Sequence, residues 1–240
     1  MATLFISDLH LEAKRPEIGE QFLAFLAGPA RDADALYILG DLFEAWLGDD
    51  DPSPYYAQMK SAIRELADSG VPVFFMHGNR DFMIGNAFTA EAGVTLLSDP
   101  HRLELHGRKV LLSHGDALCT DDVEYQQVRV MTRNPEWQAM MMAKSIEERI
   151  AFALQAREKS TARHETMDEE IADVNQDAVE LTIQEHSVDV LLHGHTHRPA
   201  VHSFHVGDRP VHRIVLGDWY EQGSMVEWDE NGPRLQELPR

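Results

Sequence analysis

Five short apolar runs each stop at a cluster of Gly, Asp, His or Asn, and this recurrence constrains the fold of the 240-residue chain more than any other feature. Residues 3–7 run into Asp8-Leu9-His10, and residues 35–39 into Gly40-Asp41. Residues 71–76 run into His77-Gly78-Asn79-Arg80, residues 110–113 into His114-Gly115-Asp116, and residues 188–192 into His193-Gly194-His195-Thr196-His197. Between the first three runs lie two stripes at helical spacing, Ile18, Phe22, Phe25 and Leu26, then Met59, Ile63, Leu66 and Ala67. Strand alternating with helix predicts an α/β layered fold, in which ligands gather beyond the carboxyl ends of the strands. The polar clusters fall at those ends.

From residue 100 onward the pattern turns hairpin-like. Residues 102–106 and 109–113 flank a His106-Gly107-Arg108 turn, and 201–206 and 211–216 flank Gly207-Asp208-Arg209-Pro210. A last pair, 224–228 and 234–238, surrounds Asp229-Glu230-Asn231-Gly232. The expectation is mixed sheets, not a purely doubly wound one.

Residues 121–166 differ in kind. They carry no strand signal, and Met142, Ile146, Ile150 and Leu154 recur every fourth residue, flanked by Trp137, Met140, Met141 and Phe152. The whole chain has a formal charge of −20, yet in residues 144–163 Lys144, Arg149, Arg157, Lys159 and Arg163 outnumber Glu147, Glu148 and Glu158, leaving +2. One reading is a helical hairpin packing its stripe on the core. The other is a lid whose apolar, basic underside meets an acyl or anionic ligand.

Composition removes several classes. A surface this acidic repels a phosphate backbone, so no nucleic-acid partner is expected. No apolar run reaches the roughly 18 residues of a spanning helix, and the Met1-Ala2-Thr3-Leu4 start has no basic stretch typical of a signal peptide. The single Cys119 forbids an internal disulfide, suits a reducing cytoplasm and reads as a packing residue. Histidine is the unusual count, at 13. His101, His106, His186, His202, His205 and His212 read as surface or strand-face residues.

The strand-end clusters collect seven donors: Asp8, His10, Asp41, Asn79, His114, His195 and His197. Residues two apart on an extended strand end share a face, so Asp8 with His10, and His195 with His197, are expected to converge. Seven ligands exceed one tetrahedral zinc site and suit two divalent ions sharing a bridging carboxylate. Oxygen and imidazole donors without thiolate point to manganese, iron or zinc. Two such ions about 3.5–4 Å apart clamp the attacking and leaving oxygens of a phosphate ester or anhydride. The bland alternative is five unrelated caps that happen to use His and Asp.

The order D-x-H, G-D, G-N-x-D, H-G-D, G-H-T-H resembles the calcineurin-like metallophosphoesterases over nearly the whole chain. That resemblance implies a four-layer α/β/β/α sandwich, read as one domain over 1–240 with a helical cap insertion at about 121–166. It implies a first metal on Asp8, His10, Asp41 and His197, and a second on Asp41, Asn79, His114 and His195. Asp41 would bridge, with a hydroxide between the metals as nucleophile. Many members carry histidine after the asparagine; here the residue is Arg80, permanently charged and suited to a developing phosphoryl charge.

Residues 35–46, 77–82, 118–122, 173–176 and 193–202 more narrowly resemble the UDP-2,3-diacylglucosamine pyrophosphatases of lipid A biosynthesis. In that family manganese is the usual metal, and the insertion caps a chamber for acyl chains. The resemblance implies UDP-2,3-diacylglucosamine as substrate, with UMP and 2,3-diacylglucosamine 1-phosphate as products. A UMP leaving group needs little protonation, so Arg80 in place of histidine is compatible. It also implies Arg80, Asn79 and His195 in catalysis, and Asn79, Arg80, Asp122, Ser160 and His195 at the substrate. Two further cap contacts of the family, an amide and a lysine, fall on His164 and Met167; either Lys159 or Arg163 stands in for the lysine, or the cap aligns with a gap. A lipid substrate implies peripheral docking on the cytoplasmic face of the inner membrane through the insertion. The rival functions are a nucleotide or cyclic-nucleotide phosphodiesterase and a non-catalytic scaffold. Glu44 is read as pocket-lining, Trp46 as core, Asp49-Asp50-Asp51 as a solvated turn before a helix, Asp81 as support for a metal ligand, and His193 as either support or buried strand residue.

Overall fold

The computed structural model describes residues 1–164 and 173–240, without the side chains of 158–164. Two mixed sheets lie face to face. The first contains β1 (Thr3–Ile6), β2 (Ala35–Ile38), β3 (Val73–Met76), β4 (Thr95–Leu97), β10 (Gly223–Asp229) and β11 (Gly232–Leu238), in the order β11-β10-β1-β2-β3-β4. Strands β1 to β4 run parallel, β10 pairs antiparallel with β1, and β11 closes the edge antiparallel to β10. The second sheet has the order β5-β6-β7-β9-β8, from β5 (His101–Leu105), β6 (Arg108–Ser113), β7 (Val190–His193), β8 (Ala200–Val206) and β9 (Arg209–Val215).

Side-chain alternation along these strands builds the layers. In β1, Leu4 and Ile6 point to α1 (Pro16–Ala27) and α2 (Pro54–Asp68), joining Ile18, Phe22, Met59 and Ile63. Phe5, between them, points to the other sheet and meets Val110, Leu112, Val190 and Leu192. Leu111 and Leu191 face outward again, onto Val179 and Ile183 of α7 (Gln176–His186). Helix, sheet, sheet, helix is the four-layer order expected from the sequence. Strands buried on both faces are apolar throughout, which is why these short runs were legible. Each fully buried Leu, Ile or Phe contributes about 1.5–3 kcal/mol.

Three details depart from expectation. β4 was not foreseen, because Thr95-Leu96-Leu97 is too short and too exposed to show a pattern. The β8–β9 turn is two residues, Gly207-Asp208, and Pro210 lies within the strand. The insertion holds three helices instead of a hairpin: α4 (Val123–Thr132), α5 (Pro135–Met142) and α6 (Ile146–His164). Asp122 and Asn134 cap the first two through their side chains. A seven-residue helix, α3 (Asn86–Ala92), sits between β3 and β4. No helix among the described residues is long and apolar enough to cross a membrane.

The layering fixes the site. β1, β2 and β3 share one direction in the first sheet, and β6 and β7 share one in the second, so their carboxyl ends bring five loops together.

Candidate metal centre

The donors are presented by loops that have left the strands. Asp8, His10, Asp41, His195 and His197 all have left-handed backbones, with φ of 57°, 52°, 51°, 70° and 55°. Asp, Asn and His tolerate that region better than most residues, but each instance costs energy that surrounding bonds must offset. The extended-strand argument for Asp8/His10 and His195/His197 is therefore corrected. β1 ends at Ile6 and β7 at His193, and the pairs converge through left-handed turns.

Backbone bonds hold these turns. Asp8 N–H donates to Gly40 O at 3.1 Å and His10 N–H to Asp41 O at 3.0 Å, locking the first two loops together. His195 N–H donates to both Asp8 carboxylate oxygens, at 3.1 and 3.0 Å, joining the two sheets. Asp81 accepts from Leu42 N–H at 2.8 Å and Gly78 N–H at 2.7 Å, and so supports the loops bearing Asp41 and Asn79 without touching a donor side chain. Loops this close leave no room for a Cβ: one at Gly78 would strike the Asp41 carboxylate, and one at Gly194 the Asp8 carboxylate.

All seven side chains come together, in two groups. Asp8, His10 and His197 form one, and Asp41, His114 and His195 the other; within each, ligand atoms lie within 4.8 Å of one another. Asn79 Oδ1 belongs with the second, 2.9 Å from both His114 Nε2 and His195 Nδ1. Asp41 Oδ2 faces both groups, 3.9 Å from His10 Nε2 and 3.7 Å from His114 Nε2. In the first, His10 Nε2 and His197 Nε2 face each other at 3.2 Å, and His197 Nε2 is 3.4 Å from Asp8 Oδ1.

Outer contacts aim the imidazoles. His114 Nδ1 is 2.9 Å from Leu39 O, which accepts its proton and leaves Nε2 for the centre. His10 Nδ1 lies 3.0 Å from Glu44 Oε2, and His197 Nδ1 lies 3.4 Å from Asp218 Oδ2. Glu44 is thus more than a pocket wall. Its other oxygen, Oε1, is 4.0 Å from Arg80 Nη1 and 3.2 Å from Arg157 Nη2 of α6. Sequence reasoning missed this role; the available signal was an acid three residues after Asp41 in an otherwise apolar stretch.

The electrostatics show a centre that demands cations. Burial pushes Asp8 up, but the hydrogen bond and charge of His197, with His114 and His10, hold it well below the usual carboxylate range. Burial pulls His114 down, yet Asp41, Asp116 and Asp8 prevail and raise it to about 9. Burial and His114 drive His195 down to about 4. Burial and the Asp41 charge lift Asp81 to about 7. Converging lone pairs, buried carboxylates and fixed tautomers fit a pair of divalent ions. His193 is not among the donors: its Nδ1 is 2.9 Å from Gly194 O, its Nε2 is 3.3 Å from Arg213 Nη1, and burial takes it to about 3.

Beside the centre is a cavity of about 710 Å³ between the core and the insertion. Asn79, Arg80 and Asp122 stand where it meets the metal loops, and Trp46, Phe82, Tyr125, Trp137, Met141, Phe152 and Ala153 supply apolar wall. Arg80 N–H donates to Asp41 Oδ1 at 2.8 Å, while its buried Nε has no hydrogen-bond partner among the described residues. Asp122 lines the cavity and also caps α4, accepting from Tyr125 N–H at 2.8 Å. The side chain of Ser160, with those of Lys159, Arg163 and His164, lies outside the described residues, as does Met167.

The expected underside of the insertion is corrected. Met142, Ile150 and Leu154 are exposed and, like Ile146, line no part of the cavity; Trp137, Met141, Phe152 and Ala153 do. Arg149 borders the cavity and is also a structural clamp. Its Nη1 donates to Leu47 O at 2.6 Å and Asp50 Oδ1 at 2.7 Å, fastening α6 to the loop after β2. The Asp49-Asp50-Asp51 turn therefore does more than meet solvent: Asp49 also caps α3 through Phe88 N–H at 3.0 Å. A second fastening was missed altogether. Buried Asp116 accepts from Tyr125 Oη at 2.7 Å and Arg129 Nε at 2.9 Å, while Arg133 Nη1 donates to Gly78 O at 2.8 Å.

Comparison with known proteins agrees with this geometry. Residues 1–199 match the calcineurin-like phosphoesterase family. A protein named UDP-2,3-diacylglucosamine hydrolase in Stenotrophomonas maltophilia is 53% identical, with 100% of each chain covered. Proteins of that name in Xanthomonas axonopodis (99% of each chain covered) and Escherichia coli (100% of each) are each 51% identical. Among solved structures, an archaeal phosphodiesterase superposes with a TM-score of 0.50 at 14% identity, covering 99% of this chain and 100% of that one, and so supports the fold alone. The chain belongs to the calcineurin-like phosphoesterase family.

Proposed function

We propose that this chain hydrolyses the pyrophosphate bond of UDP-2,3-diacylglucosamine, adding water to release UMP and 2,3-diacylglucosamine 1-phosphate, with manganese as its metal. The observation that carries the reading is the apolar cavity of about 710 Å³, which reaches the metal centre at Asn79, beside Arg80. A hydrolase for small soluble diesters has no use for such walls; two fatty chains do. The full-length relatives named for this substrate support the same reading.

Asp8, His10, Asp41 and His197 would hold one ion, and Asp41, Asn79, His114 and His195 the other. Two divalent ions at such donors supply an activated water and neutralise the attacking and leaving oxygens. The protein's own part is positioning and charge. Arg80, at the cavity mouth with its Nε unpartnered, faces the phosphoryl oxygens and stabilises charge as it develops. Its guanidinium remains charged throughout, so it donates no proton to UMP, which is a good enough leaving group to depart without one. Asn79 and His195 hold the transferred phosphoryl group in line, and Asp122 and Ser160 orient the sugar. The cavity walls take the acyl chains and keep bulk water from the reacting face.

Docking on the cytoplasmic face of the inner membrane would use the outside of the insertion, where Val130 is 72%, Val123 61%, Leu154 55% and Met140 53% exposed. The direct test of activity is UMP release from the lipid nucleotide in detergent with Mn²⁺, beside UDP-N-acetylglucosamine and bis-p-nitrophenyl phosphate. Fast, acyl-dependent release that EDTA abolishes supports the reading. Equal cleavage of the unacylated compounds contradicts it. For docking, Val130→Asp with Leu154→Asp should lower co-sedimentation with phosphatidylglycerol vesicles several-fold; unchanged co-sedimentation counts against this face.

A further inference from the structure

The apolar cavity accounts for one end of the proposed substrate and leaves the other without a seat. A second cavity, about 700 Å³, also reaches the centre. It shares no lining residue with the first and touches the donors at His197, whereas the first touches them at Asn79. The two cavities thus meet different donor groups. A molecule with its scissile bond at the centre and its acyl chains in the first cavity has the second available for its other half.

The lining specifies what that half can be. No Lys or Arg borders the second cavity; Asp218, Glu221 and Glu237 do, with Gln222. Such a wall repels a phosphate held away from metal ions, so the occupant there is uncharged. Carboxylates accept hydrogen bonds from hydroxyl pairs, as acidic residues do with ribose in dinucleotide sites. They also accept from an imide N–H, and an amide such as Gln222 pairs with an imide carbonyl. Leu235 supplies apolar wall for a flat ring. Tyr220 does not offer a free face: His10 stacks at 5.3 Å and the Arg15 guanidinium lies 4.4 Å from the ring centroid. Recognition therefore rests on edge hydrogen bonds. The side chains of Glu221, Gln222 and Glu237 have no hydrogen bond or ion pair among the described residues, so they are unspent.

We infer that this second cavity is the nucleoside subsite, taking uridine with Glu221 and Glu237 as acceptors for the ribose hydroxyls or the uracil imide and Gln222 as partner for a uracil carbonyl. The inference rests on the proposed activity and adds the residues that would select the nucleotide.

The test is calorimetric binding of UMP, 2′,3′-dideoxy-UMP and the lipid product to the manganese-loaded protein and two variants. Gln222→Trp fills the cavity, and the double variant Glu221→Ala/Glu237→Ala removes the acceptors; both alter exposed positions. UMP should bind each variant at least about tenfold more weakly, the loss expected for charge-assisted hydrogen bonds, with lipid-product affinity kept within twofold. The wild type should also prefer UMP over the dideoxy compound by about tenfold, and the double variant should not. Unchanged UMP affinity in both variants of an enzyme that cleaves the lipid nucleotide overturns this subsite while leaving the activity standing. Equal loss of lipid-product affinity overturns it as well. A wild type that releases no UMP from the lipid nucleotide overturns the activity, and the subsite with it.

Discussion

The strand-end loops and the capping insertion hold their charged side chains by opposite means. In the loops, backbone groups do the fixing: Asp8 N–H donates to Gly40 O, His195 N–H donates to the Asp8 carboxylate, Arg80 N–H donates to Asp41 Oδ1, and Leu39 O accepts from His114 Nδ1. Asp8, Asp41 and His114 are almost fully buried and His195 is half-buried, and their geometry survives only if every loop is in place. The insertion is fastened by arginine: Arg149 to Asp50 and Leu47 O, Arg129 to Asp116, Arg133 to Gly78 O and Arg157 to Glu44. These charged clamps, buried at Arg149 and partly exposed at the other three, hold the helices near the site. One region is built to hold chemistry rigidly; the other is built to hold a cavity over it.

The largest effect should come from the rigid region. Asp41→Ala removes the carboxylate that faces both donor groups, and UMP release should fall by at least about 10³-fold in a direct product assay. A fall of only a few-fold would mean the centre does not depend on a shared ligand, and the contrast with the insertion would collapse.

Next in size is a pH effect confined to the core. Folded His193 sits at about 3, against about 6.5 for an exposed imidazole. As pH falls below about 6.5 the unfolded chain takes up the proton first, so stability present above that pH is lost progressively toward pH 3. Between pH 6.5 and 4.5 that one group removes about 2–3 kcal/mol. Denaturant titrations of wild type and His193→Asn should show the wild type losing about that much more across the interval. Parallel pH profiles would show that His193 is not buried neutral.

The insertion should give a smaller and more selective effect. Arg149→Met unfastens α6 from the loop after β2 while keeping the stem's bulk, and kcat/KM on the lipid nucleotide should drop about tenfold. Cleavage of bis-p-nitrophenyl phosphate should stay within twofold. Equal losses on both compounds would tie α6 to the chemistry itself.

The same contrast explains what could be read without coordinates. Metal donors were legible because only Asp, Asn and His serve there, and because they follow apolar runs whose burial on both faces leaves an unmistakable pattern. Their backbone conformation was not legible: nothing in Asp8-Leu9-His10 separates an extended pair from a left-handed one, and only the loop-to-loop bonds decide. The insertion was legible as helical but not in its facing. Met142, Ile150 and Leu154 form the more regular stripe, yet they stay outside because no core is there to bury them, while the less periodic Trp137, Met141 and Phe152 line the cavity. Asp116 was passed over for a related reason: a chain with 41 acidic residues offers no local mark for one that is buried against arginines. Glu44 was read as pocket wall, but its contact with His10 depends on the fold.

On this reading the core performs the chemistry and the insertion chooses a lipid for it. Ala153 lines the apolar cavity and belongs to neither donor group, so Ala153→Trp fills the space without touching the centre. The decisive measurement is the ratio of turnover on UDP-2,3-diacylglucosamine to turnover on bis-p-nitrophenyl phosphate in wild type and in this variant. The ratio should fall about 10²-fold, entirely through the lipid substrate, with the diester rate unchanged. A ratio that stays constant, whether both rates fall together or neither does, would contradict this reading.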